Sequence, residues 1–476
     1  MIRKYEYQFQ CVTSKPPSMA VPFHVKVREQ CNIFLPPGSI VPPVSLPLTF
    51  LDIPWLLYPS FQTLFFFPKP PLNSTVIPLL KKSLSLTLHH FHPLAGNLSA
   101  PPPPAEPVIV YTEGDSIALT IADANVNIKN LSGYHARNVV QLNSLLPKLP
   151  IPSMARDPHV TVVLPLLAIQ VTFFRDFGYS IGVAAQQVAA DERTLDQFLK
   201  CWASVCKSLV NNDSFTGFKF SPWFDRSVIS DPNSLKRAFL KQWRNRLNSP
   251  KVSREEIYQN SVQATFILTS SDINRIKYQI LAKCEMINED PPLHLSPYVS
   301  VCSFVWTCIL KVEETQTATS SRLYLGFNAG GITRLGCEVP SSYFGSCIAF
   351  GRCGAFGREL LGADGVVFAA KSIGNEIKRL DRGVLEGAER WICEWDALNI
   401  RILGSPKVDS YGIDFGWGKV DKVDKLSSHQ NGRVHVISLC GSRDSKDGIE
   451  VGVVLPRAKM AAFTKVFNTG LMELER

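Results

Sequence analysis

The segment from residue 160 to residue 209 constrains the fold of this chain more than any other. Two apolar stretches, VTVVLPLLAIQVTFF and YSIGVAAQQVAA, have the composition of buried β-strands joined by a turn at RDFG. Asp191 or Thr194 is placed to cap a following helix. The apolar stripe of that helix consists of Leu195, Phe198, Leu199, Trp202, Cys206 and Leu209. The pattern predicts a strand, a tight loop and an amphipathic helix, which is a common setting for a catalytic loop.

Composition and charge exclude several classes of protein. The chain has 476 residues, of which 45% are hydrophobic and 19% charged, so it can bury one large core or two of ordinary size. The formal charge of +9 is spread over scattered Lys and Arg residues, which argues against nucleic acid as a partner. The most apolar early stretch is interrupted by Asp52, Pro54 and Pro59, so we expect no membrane span.

The cysteines and the first residues indicate a reducing compartment. The twelve cysteines lie far apart, without a CxxC pair or a His partner at zinc-ligand spacing, so we expect buried thiols and no metal. The initial stretch MIRKYEYQFQCVTSKPPSMAV lacks the apolar core of a secretory signal. The expected location is therefore cytoplasmic.

Changes of composition along the chain predict its organisation. We expect a flexible N-terminal extension at residues 1–21, an N-terminal domain at 22–210 and a C-terminal domain at 251–476. The polar, Gly- and Pro-punctuated residues 211–250 predict a crossover loop between the domains. Helical patterns occur in TVIPLLKKSLSLTLHHF, TSSDINRIKYQILAK and SFVWTCILKV, and strand patterns in RLYLGFNAGG, GRVHVISLC and IEVGVVL.

Several motifs together resemble one family. They are, in order, SLPLTFLDIPWLL, HPLAGNL, EGDSIALTIADA, DRSVISDPNSL, FLKQW, YFGSC, GSPKVDSYGIDFGWG and GIEVGVVL. The chain resembles the plant BAHD acyltransferases over roughly residues 22 to 472, and in particular the branch that malonylates anthocyanins and phenolic glucosides. The five-residue DFGWG, preceded by GSPKVDSYG, is the most specific of these matches, since no kinase Gly-rich loop accompanies it.

The resemblance implies a fold and a reaction. The fold is α/β, with two domains like those of chloramphenicol acetyltransferase, mixed sheets flanked by helices and a channel between the domains. The implied reaction is transfer of an acyl group from acyl-CoA, with malonyl-CoA the expected co-substrate, to a hydroxyl or amine of a specialised metabolite. The family also implies a monomer with no metal and no bound cofactor.

The family's HxxxD motif falls on QQVAADE. Gln186 and Gln187 stand at the two His positions, Asp191 at the Asp, and Glu192 at a position that is often Gly. Gln187 therefore occupies the place of the general base. The family's aspartate has a structural role, turned away from the channel and paired with an arginine, and Arg334 is the candidate partner for Asp191.

The second motif is also expected to be structural. It comprises Asp414, Phe415, Gly416, Trp417 and Gly418, which in the family lie away from the reacting atoms and shape the channel. The chain departs from the family at Val420, where a proline is usual, and at Ser346, where an asparagine is usual. These departures fall near the expected CoA site, for which Ser303 and Ser346 are the candidate contacts.

The replacement of imidazole by carboxamide has a chemical consequence. A hydroxyl that attacks a thioester loses its proton as the new bond forms, and a neutral imidazole accepts that proton. A carboxamide holds a hydrogen bond but stores no proton at neutral pH. General-base assistance is worth about 10²- to 10⁴-fold in rate, so acylation of an ordinary alcohol should be strongly impaired. We do not expect His89, His90 or His92 to replace the base, because their pattern places them by packing.

Three hypotheses follow from this loop. The chain is an acyl-CoA-dependent transferase that is slow or acts on an acceptor, such as an amine, that needs little base assistance. Alternatively, the pocket performs a different reaction, such as a cyclisation or rearrangement, with Gln187 as a hydrogen-bonding group. In the third hypothesis, the chain is a non-catalytic paralogue that binds a ligand or partner.

Overall fold

The computed structural model describes most of the chain. The described residues are 23–58, 60–68, 75–150, 161–176, 178–213, 217–218, 221–247, 260–313, 320–426 and 434–474. The predicted flexible extension at residues 1–21 lies outside them.

The described residues form both strands and helices, with several runs of consecutive strands between the helices. The strands are β1 (Val25–Phe34), β2 (Val44–Pro47), β3 (Phe61–Phe67), β4 (Asn97–Ala100), β5 (Val108–Tyr111), β6 (Ser116–Ala124), β7 (Arg137–Asn138), β8 (Val162–Pro165), β9 (Leu167–Phe174), β10 (Tyr179–Ala185), β11 (Ser261–Leu268), β12 (Arg322–Gly330), β13 (Ile348–Phe356), β14 (Ile400–Leu403), β15 (Lys422–Leu426), β16 (His435–Gly441) and β17 (Ile449–Pro456). The α-helices are α1 (Val76–His90), α2 (Lys129–Ser132), α3 (Val139–Asn143), α4 (Glu192–Asn211), α5 (Leu235–Leu247), α6 (Ser270–Met286), α7 (Pro297–Glu313), α8 (Gly357–Leu361), α9 (Gly365–Arg382), α10 (Trp391–Asp396) and α11 (Arg457–Glu473).

The strands form mixed sheets. A six-stranded sheet has the order β1-β6-β9-β10-β3-β15, and a seven-stranded sheet has the order β13-β12-β14-β16-β17-β11-β7. A smaller sheet of four strands has the order β2-β5-β4-β8. Most pairs are antiparallel, while β6 with β9, β12 with β14 and β14 with β16 are parallel.

The two large sheets exchange a strand. β15, from the second half of the chain, pairs with β3 at the edge of the six-stranded sheet, with Lys422 opposite Phe66. In return β7, from the first half, pairs with β11 at the edge of the seven-stranded sheet, with Arg137 opposite Gln263. Each half of the chain therefore completes the sheet of the other.

Buried ion pairs join the exchanged strands. Arg137 on β7 forms a bidentate pair with Asp424 on β15, in which Nη2 donates to Oδ1 at 2.9 Å. Lys422 Nζ lies 3.1 Å from Glu450 Oε2 on β17. Burial alone would raise the pKa of Asp424, but the Arg137 and Lys422 charges lower the pKa below its usual value. The strand exchange is thus stabilised by charges that water does not screen.

Helix α4 forms as its sequence predicts. Its apolar stripe is buried, including Leu195, Phe198 and Trp202, except at Leu209, which is half-buried. The indole Nε1 of Trp202 donates to Ser83 Oγ of α1 at 3.0 Å, which satisfies a polar atom that is removed from water. The helix is therefore held against α1 by apolar packing and by a buried hydrogen bond.

The apolar run VTVVLPLLAIQVTFF forms two strands rather than the predicted single strand. β8 pairs with β4 in the four-stranded sheet, whereas β9 pairs with β6 and β10 in the six-stranded sheet. The change of sheet occurs at Leu166, which is fully buried. Continuous apolar composition cannot reveal this break, because the residues on both sides are apolar, although Val163 of β8 is exposed and β9 is almost wholly buried.

The predicted crossover loop at residues 211–250 contains helix α5. Its buried residues Leu235, Phe239, Leu240 and Trp243 recur at helical spacing. The Asp231 carboxylate accepts hydrogen bonds from the backbone N–H groups of Leu235 and Lys236, at 2.8 and 2.9 Å. The polar residues before α5 concealed this helix in the sequence.

The described residues include eleven cysteines, all of which are free thiols. Most are buried or half-buried, and burial raises the pKa of Cys206 to about 12. No helix within the described ranges is both long enough and apolar enough to cross a bilayer.

The buried pairs generate a stability prediction. Asp424→Asn leaves Arg137 and Lys422 without their shared carboxylate, so we expect the free energy of unfolding to fall by about 3–5 kcal/mol. Asp421→Asn is the matched control, because Asp421 lies on the surface beside Arg443, and it should change stability by less than about 1 kcal/mol. Urea unfolding of the full chain measures both. Equal losses in the two variants would contradict the assigned role of the network.

Candidate active site

The loop that follows β10 has a fixed backbone. The N–H of Gln186 donates to Leu166 O at 2.8 Å, and the N–H of Ala189 donates to Gln186 O at 3.0 Å. The Gln186 side chain is buried, and its Nε2 donates to Pro150 O at 2.7 Å. The backbone and the side-chain amide of Gln186 therefore both hold the loop in place.

Gln187 is in a different position from its neighbour. It is half-buried, whereas Gln186, Val188, Ala189 and Ala190 are buried. No hydrogen bond joins its side chain to another residue in the described ranges. A carboxamide offers two N–H donors and a carbonyl acceptor. Gln187 is thus the loop residue with hydrogen-bonding capacity left for a ligand.

Asp191 connects the loop to helix α4 and to the segment 345–347. Its Oδ1 accepts from Thr194 N at 2.9 Å, which caps the helix. Its Oδ2 accepts from Cys347 N at 3.2 Å, and its own N–H donates to Gly345 O at 3.3 Å. Both carboxylate oxygens of this buried side chain are used in structural contacts. These contacts support the structural role predicted for Asp191.

The predicted pairing of Asp191 with Arg334 is wrong. The Arg334 Nε lies 2.9 Å from Asp381 Oδ1, in a pair at the surface. The arginine beside Asp191 is Arg193, whose Nη2 lies 3.7 Å from Oδ2. Arg193 also donates to Ser341 O at 2.7 Å and to Tyr343 O at 2.6 Å. The sequence separation of Arg334 from Asp191 gave no measure of their distance in the fold.

A buried ion pair that the sequence analysis missed lies next to the segment 345–347. Arg226 Nη1 lies 2.7 Å from Asp52 Oδ2, and both side chains are buried. Asp52 Oδ1 accepts from Ser346 N at 3.2 Å, so the pair is linked to the segment that contacts Asp191. The available signal was the single charged residue of LPLTFLDIPWLL and the arginine of DRSVI.

The two serine candidates for the CoA site have different surroundings. Ser346 is buried beside Asp52, and its hydroxyl has no hydrogen-bond partner within the described residues. Ser303 is fully buried inside helix α7, where its hydroxyl donates to Ser300 O at 3.0 Å. Ser346 therefore lies within the segment 345–347 that contacts Asp191, while the Ser303 hydroxyl is used in a hydrogen bond within its own helix. Their role in CoA binding stays a prediction.

The DFGWG motif is docked on the far end of α4. Asp414 Oδ1 accepts from the N–H groups of Gly416 and Gly418 at 2.9 and 3.1 Å, and Oδ2 lies 2.7 Å from Lys207 Nζ. Gly416 has a φ of 98°, and an added Cβ would lie 3.0 Å from Val210. Burial alone would raise the pKa of Asp414, but its bonds to Lys207 and the two amides lower the pKa.

The aromatic residues of this motif fill space between α4 and the six-stranded sheet. The Phe415 ring meets Trp202 at a centroid distance of 4.8 Å and Phe67 at 5.6 Å. The Trp417 ring meets Tyr179 at 6.3 Å. Lys207 is fifteen residues beyond Glu192, which corresponds to about 22 Å along the helix. The motif thus supports α4 at a distance from Gln187.

Glu192 forms a second interaction that the sequence analysis missed. Its carboxylate pairs with Lys425 of β15, and the same ammonium donates to Leu439 O at 3.0 Å. Lys425 is buried, which alone would lower its pKa, but the Glu192 carboxylate outweighs burial and raises the pKa. Lys425 therefore stays a cation and acts as a tie between α4 and the exchanged strand. The available signal was a lysine within the short strand KVDKL.

The described histidines lie in other parts of the fold. His89 and His90 end helix α1, and His92 is buried between the rings of Tyr111 and Phe224. Burial lowers the pKa of His92 to about 4. Within the described residues, no group of three or more His, Cys, Asp or Glu side chains has the arrangement of a metal site.

Solved structures with the same fold define the class of this chain. Vinorine synthase matches with a TM-score of 0.65 and 18% identity over 92% of this chain and 96% of that one. Fusarium graminearum TRI101 in complex with ethyl coenzyme A matches with a TM-score of 0.60 and 14% identity over 88% and 96%. The predicted fold class, an α/β fold of the chloramphenicol acetyltransferase type, is confirmed.

Sequence comparisons identify the family. The Transferase family model matches residues 23–469. The malonyl-coenzyme:anthocyanin 5-O-glucoside-6'''-O-malonyltransferase of Salvia splendens is 34% identical over 94% of this chain and 95% of its own length. Phenolic glucoside malonyltransferase 1 of Nicotiana tabacum is 32% identical over 84% and 89%. The chain therefore belongs to the Transferase family, that of the BAHD acyltransferases, as its motifs indicated.

The contacts of Asp191 lead to a prediction for its variants. Asp191→Ala removes the helix cap and leaves the buried Cys347 N–H without an acceptor, so we expect the free energy of unfolding to fall by about 2–3 kcal/mol. Asp191→Asn retains one carbonyl acceptor and should lose less. Asp213→Ala, at the exposed far end of α4, is the control and should change stability by less than about 0.5 kcal/mol. Chemical denaturation compares the three, and an unchanged Asp191→Ala would refute the structural role.

Proposed function

We propose that this chain is an acyl-CoA-dependent acyltransferase-like protein that acts on a plant specialised metabolite, with general-base catalysis impaired at Gln187. The family, the malonyltransferase relatives and the shared fold support the reaction type. The relatives also favour malonyl-CoA as the donor and a phenolic glucoside as the acceptor. The observation that carries the impairment is the half-buried carboxamide of Gln187 in the loop between β10 and α4.

The proposed chemistry follows from what a carboxamide does. An acceptor oxygen attacks the thioester carbonyl carbon, a C–O bond forms, the C–S bond breaks, and the proton of the hydroxyl is finally carried by the CoA thiol. The Gln187 carbonyl accepts a hydrogen bond from the acceptor and orients it, while water takes the proton from the attacking oxygen and returns one to the departing CoA thiolate. Because positioning persists and proton acceptance does not, we expect slow transfer to hydroxyls. An amine with a free electron pair is acylated with less loss.

The proposal also covers the co-substrate, the acceptor channel, the location and the oligomeric state of the protein. Acyl-CoA acts as a co-substrate and not as a bound cofactor, and the acceptor enters a channel between an N-terminal domain at 22–210 and a C-terminal domain at 251–476. We further propose that the protein is a cytoplasmic monomer.

The Glu192–Lys425 pair favours a second candidate function. It places a carboxylate, tied to β15, one residue after Asp191, at a position that is often glycine in the family. Where glycine has no side chain, the Glu192 side chain occupies space at the start of α4, next to the loop. The second candidate is therefore a repurposed enzyme of the same fold or a non-catalytic ligand-binding paralogue.

Variants at positions 187 and 192 separate these functions. Gln187→His supplies an imidazole, so we expect malonyl transfer to a phenolic glucoside to rise by about 10²-fold or more over the parent. The gain should appear as pH rises through about 6.5, where imidazole loses its proton, and the parent should lack that step. Thiol release from malonyl-CoA, measured with product analysis by mass spectrometry, records both.

Controls distinguish the possible failures. Gln187→Ala tests positioning and should lower the residual rate of the parent only a few-fold. Glu192→Gly, alone and combined with Gln187→His, tests whether the Glu192 side chain obstructs the donor. Calorimetry with CoA shows whether the donor binds at all. Fast sugar-hydroxyl malonylation by the parent, unchanged in Gln187→Ala, would refute the proposal, and absence of CoA binding in every variant would leave the second candidate.

A further inference from the structure

An open groove lies between strand β2 and the segment that leads into helix α5. Its volume is about 480 Å³, within the range of about 300–1,000 Å³ that is usual for small-molecule sites. One wall consists of residues 45–50, and the other consists of residues from 224–231 together with Lys236. The described loop residues 186–192 are not in these walls, so the groove is separate from the site at Gln187. We call it the β2 groove.

Hydrogen bonds fix both walls of the β2 groove. Strand β2 pairs with β5 along its length, and the N–H and Oγ1 of Thr49 both donate to Asp52 Oδ2 at 2.7 Å. In the opposite wall, Asp231 accepts two backbone N–H groups of α5. Arg226 joins the walls, because its Nη1 lies 2.7 Å from the same Asp52 oxygen. The groove is therefore preformed, as small-molecule sites usually are.

Much of the groove surface is apolar. The apolar residues of its walls are Leu46, Pro47, Leu48, Phe50, Phe224 and Ile229. The Phe224 ring is packed edge-on against His92 and Phe344, at centroid distances of 5.0 and 5.3 Å, so its position is fixed. A fixed ring among aliphatic side chains packs well against the flat face of another ring. The walls therefore favour a ligand with an aromatic body.

The charged residues of the β2 groove balance each other. The cations are Arg226 and Lys236, and the carboxylates are Asp225 and Asp231. Hydrogen bonds from the Ser227 hydroxyl and N–H lower the pKa of Asp225, so this exposed side chain is ionised at neutral pH. Since the formal charges of the walls sum to zero, the groove favours a ligand without net charge over an anion or a cation.

The walls also have hydrogen-bonding capacity that no described residue uses. Arg226 is 6% exposed, and its Nε and Nη2 are buried without a partner in the described ranges. Because Asp52 already balances the Arg226 charge, the missing partner is a neutral oxygen. Lys236 Nζ lies 2.7 Å from Glu106 and keeps further N–H donors, while the Asp225 carboxylate accepts. A hydroxyl group suits this mixture, because it both donates and accepts.

We propose that the β2 groove binds a neutral, hydroxylated aromatic molecule of the phenol class. The proposal goes beyond acyl transfer at Gln187 and does not rest on it. The groove adjoins the support of the loop, because Thr49 and Arg226 both bind Asp52, and Asp52 Oδ1 accepts from Ser346 N at 3.2 Å. A ligand in the groove therefore lies beside that support without entering the loop.

The binding experiment uses 2-naphthol, which is neutral at pH 7 as phenols are, and its anionic analogue 2-naphthoate. We expect 2-naphthol to bind the full chain saturably in calorimetry, and about tenfold or more tightly than 2-naphthoate. Ser45→Trp and Ser227→Trp each place a large side chain at an exposed position of one wall, so each should weaken 2-naphthol binding about tenfold or more. Ser271→Trp, at an exposed position of α6, is the control and should bind as the parent does.

The outcomes decide between the groove and other sites. Unchanged 2-naphthol binding in either wall variant, or equal binding of 2-naphthoate by the parent, would overturn the proposal. Gln187→Ala should keep the binding, and its loss in that variant would place the ligand at the loop and refute the groove. The measurement needs no acyl transfer, so its result is independent of whether the proposed function holds.

Two charge variants test the balance of the walls. Asp225→Asn leaves the walls with a net positive charge, so the preference for 2-naphthol over 2-naphthoate should fall roughly two- to fivefold. Lys236→Gln leaves a net negative charge and should raise that preference by a similar factor. Neither side chain is buried, so both variants should fold. A preference that moves in the same direction in both variants, or in neither, would contradict the assigned charge balance.

Discussion

The buried ion pairs between the exchanged strands are the interaction on which the rest of the structure depends. Arg137 and Asp424 lie on the two exchanged strands, and Lys422 joins them to Glu450 on β17. Removal of such charges from water is costly, and only complementary partners at hydrogen-bonding distance offset the cost. A shift of either strand by one residue would turn these side chains to the opposite face of its sheet. The network therefore selects one register for both strands, and that register sets how the halves of the chain meet.

The same arrangement of strands fixes the position of helix α4. Its first turn is tied through Glu192 to Lys425, and its last turn through Lys207 to Asp414. Both partners belong to the second half of the chain, so the helix is held at each end by residues that follow it by more than two hundred positions. The loop before the helix is held in addition by Asp191. A carboxamide at Gln187 thus alters what the loop can do chemically, while the supporting structure around it is intact.

Local sequence patterns correctly predicted the secondary structure around Gln187, but they did not predict which distant residues pair with each other. The strand, loop and helix around Gln187 follow from apolar periodicity, and the cap at Asp191 follows from its place before the first turn. The partner of Asp191 was assigned to Arg334, but Arg334 pairs with Asp381. Such pairs depend on which strands become neighbours, and the exchange of β7 and β15 leaves no local pattern in the sequence. The ties from Asp52 to Arg226 and from Glu192 to Lys425 escaped prediction for the same reason.

The reciprocal strand exchange also determines which pieces of this protein are meaningful. A fragment cut between the halves would lack the outermost strand of its own sheet and carry instead a strand meant for the other. Each fragment would present open backbone hydrogen-bonding groups at a sheet edge, together with unpaired charges from the network. Each half therefore needs the other to complete its sheet, and the polypeptide is a single folding unit despite its two large sheets.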